Sequence, residues 1–353
     1  MKKILWGSVA ACAALVCSIA AVRAQEKPTA APAATPGAAR VFLVVTNEAQ
    51  RGADVPTLQS QDVKVKMGRD FVKVNELVPA RDNSADMQLL ILIDDTLDPG
   101  LIGSYLNDLR DFINAQPKTT AIAVAYMSNT TIQIAQNFSP DHDAAAKALR
   151  LPRGALSAMD SPYLSVVSLA KGWPQQKIRR EVLLVADGID RLRGTGGGGG
   201  GGFRGGFGGP GMGGPGMGAQ TRPYHSIDMS TISADVDQAS EAAQKTGIIV
   251  YSIFARGVGR MARSMWDAET GLSGLTKLSE ETGGECFSIG TQNPVSFKPY
   301  LDQLQRLLNN QYYVVFQATQ SKKSELRSVK ISTEVPNSEI VHADNVWVPA
   351  PAK

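Results

Sequence analysis

The stretch Met87-Gln88-Leu89-Leu90-Ile91-Leu92-Ile93-Asp94-Asp95-Thr96-Leu97-Asp98 decides the fold. From Leu89 to Ile93 every side chain is aliphatic, and the run stops at two aspartates. A strand apolar on both faces needs cover on both, as in a parallel sheet held between two layers of helices. Downstream, the periodicity alternates. Residues 101–115 have helical spacing, 120–127 and 132–138 read as strands, and 144–151 and 164–171 read as helices. A buried strand is expected at 181–186, a helix at 234–246, a strand at 248–255 and a helix at 265–281. A short strand at 286–289 and a helix at 299–308 complete the series. Strands alternating with helices over this length predict a doubly wound α/β unit spanning 86–310.

Outside that unit the pattern is β on both sides. In the N-terminal flank, 40–85, strands are expected at 41–45, 62–67 and 71–77; Val63, Val65 and Met67 alternate with Lys64 and Lys66, the mark of a half-buried strand. In the C-terminal flank, 311–350, strands are expected at 312–318, 326–334 and 345–348. Neither flank has enough strands to stand alone, so one small β-sandwich built from both is expected. Tyr312, Tyr313 and Phe316, in an alternating strand, fit the core of that sandwich better than an aromatic binding strip.

The N-terminus predicts export. Lys2 and Lys3 precede an apolar stretch that ends in Val22-Arg23-Ala24, the layout of a cleaved signal peptide over 1–24. An uncleaved anchor and a lipoprotein signal at Cys12 are the competing readings. Residues 25–39, rich in Ala, Pro and Thr, read as a disordered linker. After cleavage Cys286 is the one cysteine left, which excludes an internal disulfide and a cysteine-based zinc site and suits a small buried hydrophobe. A formal net charge of +3 with interspersed signs argues against a nucleic-acid footprint. His142, His225 and His342 form no metalloprotease pattern.

Ligands of open α/β sheets sit at the carboxyl ends of the strands. There, Asp94-Asp95-Thr96-Leu97-Asp98 resembles the Asp-x-Ser-x-Ser loop of von Willebrand factor type A (VWA) domains. Ala186-Asp187-Gly188, after a second buried strand, is similar to that family's second aspartate loop. Leu156-Ser157-Ala158-Met159 stands where the family places a Gly-Thr-x-Leu segment. In the flanks, Leu58-Gln59-Ser60-Gln61-Asp62-Val63 and Tyr312-Tyr313-Val314-Val315 resemble segments of the acidobacterial VWA-related proteins. The resemblance implies a Rossmann-type VWA-like sheet and a metal-ion-dependent adhesion site made by Asp94, Thr96, Asp98, Ser157 and Asp187. Hydroxyls and one or two carboxylates suit Mg²⁺; the additional carboxylate of Asp98 shifts the expectation toward Ca²⁺ and disfavours an acidic ligand. Each residue also has a plainer role. Asp98-Pro99 is a good helix start, Asp94 and Asp187 suit turns, and Ser157 suits an N-cap.

Residues 194–218 are nearly all Gly with Pro, Met, Phe203, Phe207 and Arg204. No Gly-Lys-Ser/Thr follows as in a phosphate loop, and Gly-Gly-Pro-Gly-Met repeats every five residues, unlike collagen. A disordered insertion over 191–222, leaving the same rim as Asp187, is expected. Gly271-Leu272-Ser273-Gly274 lacks the final glycine of a hydrolase elbow and a histidine partner. The expectation is therefore a non-enzymatic exported module that binds a protein partner, or else a structural or assembly protein whose metal site is non-functional. Neither nucleic acid nor a membrane span after signal cleavage is expected.

Overall fold

The computed structural model describes residues 38–49, 54–154, 160–173, 178–194, 229–258 and 264–351. The expected signal peptide, nearly all of the linker, Ser157 and the Gly-rich insertion beyond Gly194 lie outside the described residues. Four strands come first: β1 (Ala38–Ala49), β2 (Val63–Met67), β3 (Asp70–Val72) and β4 (Val74–Pro79). The aliphatic run forms β5 (Met87–Asp94), buried along its whole length. Helix α1 (Pro99–Ala115), β6 (Thr120–Ser128), β7 (Thr131–Ser139), α2 (His142–Ala148), α3 (Pro162–Gly172) and β8 (Arg179–Ala186) follow. Then come α4 (Arg191–Gly194), α5 (Met229–Thr246), β9 (Ile248–Phe254), α6 (Met265–Thr282), β10 (Cys286–Phe287) and α7 (Lys298–Asn309).

These strands form one six-stranded sheet in the order β10-β9-β8-β5-β6-β7. All neighbours pair in parallel except β7, which runs antiparallel to β6 at the edge. Alternate residues of β5 serve the two faces. Leu89, Ile91 and Ile93 pack with Ile102, Tyr105 and Leu109 of α1 and Leu304 of α7. Leu90 and Leu92 pack with Tyr163 and Val166 of α3, Ala239 of α5 and Leu275 of α6. The sheet is doubly wound as the aliphatic run required, with helices on both faces. The chain builds outward from β5 through β6 and β7, then crosses back to β8 on the other side. That reversal places the topological switch point between the carboxyl ends of β5 and β8, where open α/β sheets bind ligands.

The last strands are β11 (Gln311–Thr319), β12 (Glu325–Thr333), β13 (Ser338–His342) and β14 (Asn345–Val348). Together with the first four they make two four-stranded sheets, β13-β1-β11-β4 and β14-β12-β2-β3. The β1–β11 pairing, from Ala38↔Thr319 to Thr46↔Gln311, joins the N-terminal flank to the C-terminal one. Val63, Val65 and Met67 meet Tyr312, Val314 and Phe316 in the core between the sheets. Tyr313, on the opposite face of β11, packs into the core of the α/β unit. The aromatic residues of β11 are thus core.

Two local expectations are corrected, and one strand was not expected. Residues 71–77 are two strands, because the chain changes sheets at Lys73: β3 pairs with β2 in one sheet and β4 with β11 in the other. The helix expected at 144–151 ends at Ala148, where Leu149 takes extended backbone (φ −68°, ψ 122°) and its N–H closes on Ala146 O. Strand β13 had no expectation at all, being five residues long beside a turn at Asn337 with positive φ. Among the described residues no helix is long and apolar enough to cross a membrane.

Candidate functional site: the acidic rim of the parallel sheet

Two neighbouring strands end in the same device. At the end of β5 the Asp94 carboxylate accepts the Thr96 backbone N–H at 2.8 Å, and after β8 the Asp187 carboxylate accepts that of Ile189 at 3.0 Å. Each aspartate closes a turn on its own loop, which fixes where the chain leaves the sheet. Gly188 has φ +69°, and a Cβ there would lie 2.2 Å from the Gly271 carbonyl oxygen of α6. The Tyr163 hydroxyl donates to the Gly188 carbonyl at 2.8 Å, and a Cβ on Gly274 would strike that hydroxyl. Gly271 and Gly274 are therefore where α6 approaches the second acidic loop, which gives the Gly-Leu-Ser-Gly segment a packing role.

The rim loops brace one another. Asp95 N–H donates to Met127 O, Val258 N–H to Thr96 O, and Ala255 N–H to Ala186 O. Asp94, Thr96 and Asp187 are all buried at the centre of this frame. Between the two loops lies a residue that sequence reasoning missed. Arg191, also buried, pairs with Asp187 through Nη2 to Oδ2 at 2.5 Å, with Nη1 3.5 Å from Oδ1. Burial first, and then the Asp187 charge, push the Asp94 carboxyl up to about 7, against the pull of Arg191 and the Thr96 N–H. Burial opposes the Arg191 charge, yet Asp187 and Asp94 outweigh it and raise the guanidinium pKa. The Thr96 hydroxyl favours the Asp94 carboxylate by proximity but makes no hydrogen bond of good geometry.

The other acidic residues have defined partners. Asp95, buried, takes a two-pronged contact from Arg150 at 2.7 and 3.0 Å, with Arg153 Nε at 3.6 Å. Arg150 also lies over the Tyr126 ring, 3.7 Å from its centroid. Asp98 is exposed and caps α1, its Oδ1 accepting from Gly100 N at 2.8 Å and Leu101 N at 3.3 Å. Asp190 accepts from the Ser161 hydroxyl at 3.0 Å. Of the residues expected to hold a metal, Asp94, Thr96 and Asp187 come together, Asp98 is turned to its helix, and Ser157 is outside the described residues.

Mg²⁺ and Ca²⁺ need six or more oxygens with open positions around them. Here the guanidinium of Arg191 takes up both oxygens of Asp187, and among the described residues no three His, Cys, Asp or Glu side chains are placed to hold a metal. With Arg191 so placed, the described side chains do not fit a divalent ion. Arg191 stands four residues after Asp187, a signal present in the sequence but indistinguishable there from an exposed i, i+4 pair.

No protein-family model and no curated protein sequence matches the chain. Among solved structures it is similar to an aerotolerance-related membrane protein from Bacteroides fragilis carrying multiple mutations to serine, at 10% identity and TM-score 0.37, covering 63% of this chain and 98% of that one. It is also similar to the SpRpn10 VWA domain, at 12% identity and TM-score 0.33, covering 62% of this chain and 94% of that one. The chain's own topology, a doubly wound and mostly parallel sheet with paired aspartate loops at its switch point, is what makes the α/β unit VWA-like in fold.

Proposed function

We propose that the chain is an exported, non-enzymatic binding module that docks a protein partner on the carboxyl rim of its α/β unit. One observation carries this reading. Met265 and Trp266 open α6 after β9, Ile289 and Val295 follow β10, and Leu151 lies against Gly103 of α1; all five are exposed. Large exposed apolar side chains on the loops at one end of a sheet, with arginines among them, have the make-up of a protein interface. Arg150, about a third exposed, adds an aromatic-backed guanidinium to the same rim. The signal-like N-terminus supports export.

Quantitative affinity purification from the exporting cell tests the proposal, comparing the wild type with a Met265→Asp/Val295→Asp double variant and a Phe71→Asp control. A protein enriched by the wild type and the control but lost with the double variant is expected. Equal enrichment by all three would remove the rim from consideration. A second reading, self-association as an assembly protein, draws on exposed Phe71 and Ile134 on the edge strands β3 and β7. Exposed edge strands template pairing between copies. A concentration-dependent dimer by light scattering, lost in Phe71→Asp, would favour it.

A further inference from the structure

We propose that Arg191 is a built-in cation that takes the place of a divalent ion between the two acidic loops, so that the rim is assembled without metal. The inference is independent of what docks on the rim. Strands β5 and β8 are direct neighbours, with Ile93 opposite Val185, so the loops that begin at Asp94 and Asp187 emerge side by side. Two ionised carboxylates held together out of water repel each other, and a positive charge nearby relieves that repulsion. Arg191 supplies it from within the second loop. Its backbone N–H donates to Asp160 O at 2.9 Å, and its guanidinium reaches back to Asp187 and to the Ile189 carbonyl at 3.4 Å.

The surroundings are cut to this group. Gly257, in the loop after β9, bridges to Leu97 of the first acidic loop. A Cβ on Gly257 would lie 2.2 Å from Asp187 Oδ2 and 3.0 Å from Arg191 Nη2. The loop after β9 thus has no room for a side chain against the ion pair. The planar guanidinium offers a fork of donors to a carboxylate, which a hydrated ion does not. A divalent ion entering beside it would meet an existing positive charge with Asp187 already taken.

The test is thermal unfolding of the mature chain in chelator, in millimolar MgCl₂ and in millimolar CaCl₂. The wild type is expected to unfold at one temperature in all three. Arg191→Ala in chelator is expected to lose on the order of 5–10 °C, since it strands a buried charge. Ca²⁺ or Mg²⁺ then restores part of that loss by mass action, and adding Asp187→Asn abolishes the restoration. If Arg191→Ala does not fold in chelator, recovery on refolding in CaCl₂ or MgCl₂ supports the proposal and failure in both overturns it. An ion-dependent rise in the wild type that Asp187→Asn removes also overturns it, as does an Arg191→Ala variant indifferent to both ions.

Discussion

Gly257 carries no side chain, and that is what lets Asp187 and Arg191 meet against the loop after β9. Gly257→Ala forces a methyl within 2.2 Å of a buried carboxylate oxygen, so the ion pair must shift. A loss of about 2 kcal/mol is expected, the ordinary cost of overpacking. Urea unfolding measures it; a stability equal to the wild type would mean that the pair moves freely and does not fill its space. At this scale the site was half legible. Asp94 and Asp187 declared themselves as acidic residues ending aliphatic runs. Arg191 did not, because its role depends on a side chain folding back into a buried loop. Asp95 looked like a neighbour of a metal site and is instead paired with Arg150, 55 residues away in sequence, which no local pattern reveals.

Helix α1 begins at Pro99 because Asp98 accepts two of its first N–H groups. Asp98→Ala is expected to cost about 1 kcal/mol, while Asp98→Asn, which also caps, stays within a few tenths. Thermal unfolding of both variants in chelator checks this; equal losses would point to the charge and away from the cap. Elements were the most legible scale. An all-aliphatic strand implied two helical layers, and alternate residues of β5 do feed two separate cores. Errors fell where tertiary context overrides local pattern. Residues 71–77 alternate well enough for one strand, yet the chain turns a corner at Lys73 to serve two sheets, leaving Phe71 74% exposed. Strand β13 is visible only through its pairing with β1.

Both flanks and the α/β unit belong to one compact unit, Pro36–Lys353, and a buried polar cluster joins them. Arg179 of β8 donates to Gln311 of β11 at 2.8 Å, to Leu308 O and to Ala85 O, and Gln311 donates to the Tyr251 hydroxyl at 3.1 Å. Glu181 is fully buried beside them, with no well-formed hydrogen bond to either oxygen. Burial pushes its carboxyl up to about 8, with Arg179 and Gln311 pulling the other way. The folded state therefore holds a proton that the unfolded chain releases near 4.5. The stability tied to that proton is complete below pH 4.5 and is lost as pH rises to about 8, amounting to at most about 5 kcal/mol. Glu181→Gln is expected to flatten this part of the stability profile and to be more stable than the wild type at pH 8; parallel profiles would mean that Glu181 is ionised or solvated in the fold. At the scale of the whole molecule, the carboxyl rim is the face proposed to meet the partner. Site-specific photocrosslinking in the exporting cell tests it most directly, with the probe at Trp266, at Val295 and, as a control on the sandwich, at Phe71. Discrete adducts to another protein from Trp266 and Val295, and none from Phe71, are predicted. Adducts from Phe71 alone, or from no position, would contradict the account.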